Sequence, residues 1–174
     1  ADWRSSRIFR RFNGANTVTS LMVNGRNVEG HRGGNNAFVF EITNHVQYGA
    51  KNRLWVVVNN AARIGVLPTA GPDNIYGGLY RGMELIVAGP AAIGLDAYGS
   101  DGVMFRTTRT TDSKAEGTVG VKINSTVQRQ MNLILTITDA GGNVIASNEI
   151  SPKVNQGISE VNIPFEIENP VLWH

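Results

Sequence analysis

Three stretches of this chain place apolar residues at every second position. Phe38, Phe40 and Ile42 form one set, Val119, Val121 and Ile123 another, and Leu133, Leu135 and Ile137 a third. A period of two puts each set on one face of a β-strand. No window longer than about ten residues carries the 3.6-residue stripe of a helix. Only the stretch from Thr43 to Gly49 reads as a helical turn. Leu54-Trp55-Val56-Val57-Val58 is an unbroken apolar run. It predicts a strand covered on both faces, with Trp55 in the core.

The punctuation between these stretches is that of hairpins. Asn24-Gly25 separates Leu21-Met22-Val23 from Arg26-Asn27-Val28. Asn and Gly both tolerate positive φ, so the pair predicts a two-residue hairpin turn. Asp139-Ala140-Gly141-Gly142-Asn143 predicts a second hairpin, between Thr138 and Val144. Many short strands joined by glycine-rich turns predict an all-β fold built from antiparallel β-sandwiches. A boundary is expected at Gly89-Pro90, where proline ends the strand Met83 to Val87 and a new series begins at Ile93. The expected domains are residues 1–89 and 90–174.

Composition narrows the function classes. The 174 residues suffice for one large domain or two small ones. With 41% apolar and 17% charged residues, the chain has the balance of a globular protein and not of a disordered one. A net charge of +2 gives no reason to invoke nucleic acid or an anionic membrane. Arg4, Arg7, Arg10 and Arg11 form the one local basic cluster. It reads as strand-face arginines, with phosphate binding as the alternative. The absence of cysteine removes disulfides and thiolate metal sites and leaves the compartment open. No apolar run approaches the roughly 18 residues of a membrane helix. His31, His45 and His174 lack metal-ligand spacing, and no cofactor is implied.

Certain motifs carry a resemblance. In the first half these are Phe12-Asn13-Gly14-Ala15, Val23-Asn24-Gly25, Gly30-His31-x-Gly33-Gly34-x-x-Ala37-Phe38, Glu41-Ile42-Thr43, Gly49-x-x-Asn52-x-Leu54-x-Val56 and Tyr76-Gly77-Gly78-Leu79-Tyr80-Arg81. In the second they are Gly102-Val103, Val119 to Asn124, Asp139-x-x-Gly142-x-Val144 and Asn169-Pro170-x-Leu172-Trp173. In this order they resemble the front part of glycoside hydrolase family 2, which holds β-galactosidases, β-glucuronidases and β-mannosidases. The resemblance covers almost the whole chain and is closest in style to the β-galactosidases. It implies a sugar-binding jelly-roll domain followed by an immunoglobulin-like domain, with the catalytic barrel beyond His174. It also implies that the first domain is N-terminally incomplete, with apolar surface and a sheet edge uncovered. Two positions depart from the family pattern. Gly82 follows Arg81 where relatives usually have aspartate, and Pro72 stands four residues before Tyr76, with aspartate one place later at Asp73.

Retaining glycosidases use two carboxylates roughly 5 Å apart. The resemblance places both in the barrel, so this chain is expected to hold no catalytic residue. Asn148-Glu149 has the family's local pattern but falls among strands, where it reads as an ordinary polar pair. In the resembling enzymes the loop at Gly71 to Gly78 reaches toward the sugar pocket. Asp73, Asn74 and Tyr76 are therefore the expected substrate-binding residues: a carboxylate and an amide for sugar hydroxyls, an aromatic for a pyranose face. The bland alternative is a loop shaped by Asx turns, with Tyr76 in the core. His31 reads as a buried hydrogen-bonded residue, with a rim contact as the alternative. The glycines at 33, 34, 77 and 78 read as turn residues, because no helix follows to cradle a phosphate. Trp173 is expected to pack toward the barrel. Two functions follow: a non-catalytic piece of a family 2 glycosidase whose partners are a β-galactoside or related carbohydrate and the barrel, or a freestanding carbohydrate-binding or structural β-sandwich module. The sequence is compatible with a homo-oligomer and leaves the sugar open.

Overall fold

The computed structural model describes residues 3–61, 63–67, 76–95 and 99–172. The chain is all-β and divides into two compact units, one running to Pro90 and one from Ala91 onward. Gly99 and Ser100 return to the first unit. Gly99 adopts φ +72° against the backbone of Ala37, where a Cβ would collide with the Ala37 carbonyl.

In the first unit β1 (Arg7–Phe12) pairs with β5 (Phe38–Glu41) on one side and β8 (Met83–Ala88) on the other. A second sheet has the order β4-β3-β6, from β3 (Val18–Val23), β4 (Arg26–Arg32) and β6 (Leu54–Asn59). A short ladder joins β2 (Ala15–Asn16) to β7 (Gly78–Leu79). Every partner is antiparallel. The core between the sheets is aromatic. Phe12 stacks on Phe38 at 4.9 Å and meets Phe40 edge-on at 5.8 Å, with Leu21, Val23 and Ile42 around them. The Asn24-Gly25 turn forms as expected, with φ of 51° and 79°. The Asn24 side chain clamps it, donating to the His45 carbonyl and accepting from the Arg53 amide. Thr43–His45 is the expected helical turn, as a single 3-10 turn.

Residues 54–58 differ from expectation. β6 is the end strand of its sheet among the described residues, and its side chains alternate inward and outward. Leu54, Val56 and Val58 pack on the core, while Trp55 is 50% exposed and Val57 59%. Trp55 is thus a surface residue and not a core one. An unbroken apolar run does not reveal which faces are covered.

The second unit is more regular. β11 (Lys114–Ser125) and β16 (Gly157–Glu168) pair over their full length without a bulge. β10 (Val103–Thr110) and β9 (Ala91–Ile93) lie against β11. β13 (Leu133–Thr138) and β14 (Val144–Ile150) form the second expected hairpin, and β12 (Arg129–Gln130) pairs with β15 (Lys153–Val154). The carboxylate of Asp139 accepts from the amides of Gly141 and Asn143 and so closes the hairpin turn. Val119, Val121, Ile123, Ile163 and Phe165 make a mostly aliphatic core, against which Leu133, Leu135 and Ile137 pack.

Candidate functional site

Three motifs that are far apart in sequence meet at Tyr80. Its hydroxyl donates to the carbonyl of Gly34. Its ring lies against Gly14, where a Cβ would sit 2.9 Å from the phenol carbon. The guanidinium of Arg81 lies 5.4 Å from the centre of the same ring. The Gly33-Gly34 corner is held from two sides, Gly33 donating to the Thr17 carbonyl and Gly34 to that of Leu67. Asn13 ties the motifs to β8, its amide nitrogen bonding Glu84 at 2.7 Å and its backbone the Gly82 carbonyl.

The Tyr76–Leu79 strap lies beside this junction. β7 pairs Leu79 with Ala15 and Gly78 with Asn16. Gly78 is required by its φ of +88°, whereas a Cβ on Gly77 would stand 2.5 Å from the amide of the exposed Asn60 side chain, which would have to turn aside. The Asn16 side chain, 6% exposed, donates to the carbonyl of Tyr76 at 2.7 Å. The backbone of Tyr76 is thereby pinned while the residue is 73% exposed. Tyr76 does not fill the core. Asp73 and Asn74 lie outside the described residues, as does Trp173.

His31 sits under the same corner. Its ring stacks on Phe38 at 4.0 Å, and a Cβ on Gly33 would stand 3.2 Å from its Nε2. Burial lowers its pKa, with the Gly33 backbone hydrogen bond working the other way. A neutral, stacked imidazole suits a packing role.

The arginines do not form one anion site. Arg7 grips Glu41 through two bonds of 3.1 and 2.7 Å, which hold that carboxyl below its ordinary pKa although burial opposes this. Arg11 bonds the Asn13 side-chain oxygen. Arg10 points the other way, onto the inner face with Ile8 and Phe12. Asn148 and Glu149 lie on β14. Asn148 donates to the Pro164 carbonyl, and Glu149 accepts from Asn132. Among the described residues no group of three His, Cys, Asp or Glu side chains is placed to hold a metal.

Sequence reasoning missed Tyr80 and Gly14. A glycine outside any hairpin turn, next to Asn13, was the available signal for a close approach.

No family model matches the chain. A β-glucuronidase of Bacteroides fragilis is 33% identical over 99% of this chain and 25% of its own length. A solved Bacteroides fragilis structure with a provisional β-galactosidase assignment superposes with a TM-score of 0.90 at 31% identity, covering 97% of this chain and 26% of that one. A glycoside hydrolase family 2 member from Bacteroides cellulosilyticus gives 0.81 at 25% identity, over 98% and 22%. The chain thus spans about a quarter of the relatives it matches.

Proposed function

We propose, from the premise that this chain belongs to glycoside hydrolase family 2, that it is the non-catalytic N-terminal part of a β-glycosidase. One observation carries this reading: a chain matched over 99% of its length corresponds to only 25% of a β-glucuronidase. Residues 1–89 then act as the sugar-binding jelly roll and 90–174 as the immunoglobulin-like domain that follows. The reaction needs a pair of carboxylates on a later barrel. This piece supports the barrel and lends it the loop ahead of Tyr76.

Within that loop Asp73 and Asn74 hydrogen-bond sugar hydroxyls, and Tyr76 offers a ring face. The exposure of Tyr76 and the pinning of its backbone by Asn16 support the last role. Preorganised backbone under an exposed aromatic lowers the entropy cost of binding. The substrate is a β-glucuronide or a β-galactoside.

The test has two parts. The purified 174-residue chain should turn over neither aryl β-glucuronide nor aryl β-galactoside; turnover of either overturns the reading. In the parent enzyme Asp73→Ala should lower kcat/KM by about tenfold to a hundredfold, the worth of one or two sugar hydrogen bonds. An unchanged value removes Asp73 from the pocket.

A further inference from the structure

The alternation that makes β6 begins before the strand itself. Lys51, Arg53, Trp55, Val57 and Asn59 are exposed, and the residues between them are half-buried. Successive side chains of an extended segment point to opposite sides, so these residues share the outer face of the β4-β3-β6 sheet. Across that face Met22 lies opposite Trp55, and Asn27 opposite Met22. In the next row Ser20 lies opposite Val57, and Gly30 opposite Ser20. None of these outward positions holds a carboxylate.

A groove of about 630 Å³ lies at one end of the face, lined by Asn24, Gly25, Lys51, Asn52, Arg53 and Trp55. Its floor is fixed, because Asn24 donates to the side-chain oxygen of Asn52, which also accepts from the Gln47 amide. The side chains of Lys51 and Arg53 have no hydrogen bond or ion pair among the described residues. At the other end the chain leaves β6 at Asn60, which lies against Gly77 beside the exposed Tyr76. From Arg53 to Asn59 the strand runs about 20 Å, room for several sugar units.

An exposed indole next to an exposed valine leaves apolar surface in water. Two cations stand beside it without a counter-charge. An acidic sugar answers both. The C–H face of a pyranose covers a flat indole. A carboxylate pairs with an ammonium, and with a guanidinium through a two-point fork. Other occupants fit less well. A second copy seated across a two-fold axis would set Lys51 and Arg53 against themselves. Nucleic acid asks for more charge than a chain with a net +2 supplies. We propose that this face is a second, non-catalytic carbohydrate site. It holds an acidic oligosaccharide along β6, with Trp55 stacked on a pyranose, Lys51 and Arg53 on uronate carboxylates, and the glycan directed toward Tyr76. The class of ligand rests on the reading of this chain as part of a glycosidase.

The test titrates the isotope-labelled 174-residue chain with a hyaluronan tetrasaccharide, in which alternate units carry a carboxylate, and with neutral cellotetraose. The acidic probe should shift the Trp55 indole N–H and the amides of residues 51–57. The neutral probe should bind roughly tenfold more weakly. Trp55→Ala should weaken acidic binding by roughly tenfold, the worth of a stacked ring. Lys51→Gln with Arg53→Gln should weaken it by a similar factor and remove its salt dependence. These side chains are exposed, so unchanged amide positions at Phe12 and Phe38 should report an intact core. No shift at residues 51–57 overturns the proposal, as does equal binding of the neutral probe. Single-stranded DNA that competes as well as the sugar also overturns it, as do shifts here with protein concentration alone, the mark of a second copy. Loss of acidic binding in the parent enzyme overturns it as well, because the rest of the polypeptide then covers the face. Binding at Trp55 beside an unchanged kcat/KM for Asp73→Ala removes the loop's role and leaves this site; absent binding beside a lowered kcat/KM does the reverse.

Discussion

The two units use the same architecture with different cores and different uses of glycine. In the second, β11 and β16 pair without interruption, and the core is filled by Val, Ile and one Phe. In the first, short strands surround stacked aromatics, and glycines admit a phenol ring at Gly14 and the Asn60 amide at Gly77. Regular ladders rest mainly on the right pattern. Close approaches need a particular residue at a particular place, and in the first unit they gather around Tyr76 and Tyr80. The second unit has close approaches of its own, at Gly117 against the Phe165 ring and the Arg106 carbonyl and at Gly102 against the Gly94 carbonyl, but there they serve the main sheet, whereas in the first they lie beside the proposed sugar loop.

Substitutions sharpen this contrast, the largest effect first. Phe12→Ala removes a fully buried ring from the aromatic stack and should cost about 3–5 kcal/mol. Exchange should accelerate throughout the first unit's core. Ile123→Ala in the second should cost about 2–5 kcal/mol and act on β11 and β16. Equal acceleration of both units by either change would break the division.

Gly14→Ala comes next. Its methyl meets the Tyr80 ring, which must shift and give up its bond to Gly34. The expected loss is about 1–3 kcal/mol. A Tyr80→Phe background should reduce that loss, because the hydroxyl bond is already gone; strict additivity of the two changes would argue against the shared contact. Removing the hairpin clamp with Asn24→Ala should cost about 1–2 kcal/mol, since it deletes a side chain that bonds two backbone groups and suits positive φ. Chemical denaturation measures each.

The smallest effects are electrostatic. His31 has a folded-state pKa below its ordinary value of 6.5, so the unfolded chain takes up the proton first as pH falls. Its contribution is complete above about pH 6.5 and declines below it. His31→Phe should flatten that decline in the first unit. Glu41 is depressed mainly by its bonds to Arg7, so its contribution is held above the ordinary carboxylate value of 4.5 and fades as pH falls through the lower folded value. Glu41→Gln should cost about 1 kcal/mol or less at pH 7, because the carboxylate is partly solvated.

Much of the fold was legible in residue pattern. Phe38, Phe40 and Ile42 are buried as their alternation required, as are Val119, Val121 and Ile123. Asn24-Gly25 turned where its φ preferences allow. Trp55 misled because a continuous apolar run looks alike whether one face of the strand is covered or both. The site was legible only as a loop between glycines. The backbone of Tyr76 is held by the Asn16 bond, made between residues 60 positions apart, which no local pattern announces.

Sequence by itself determined strand and turn, and facing wherever apolar and polar residues alternate, since these follow from neighbours two to five residues apart through backbone geometry. Tertiary structure alone decided which strands end a sheet, that Trp55 is left outside the core, and that Gly14, Gly34 and Tyr80 meet. Each of these depends on surfaces that approach across the sandwich, and no local periodicity encodes that distance.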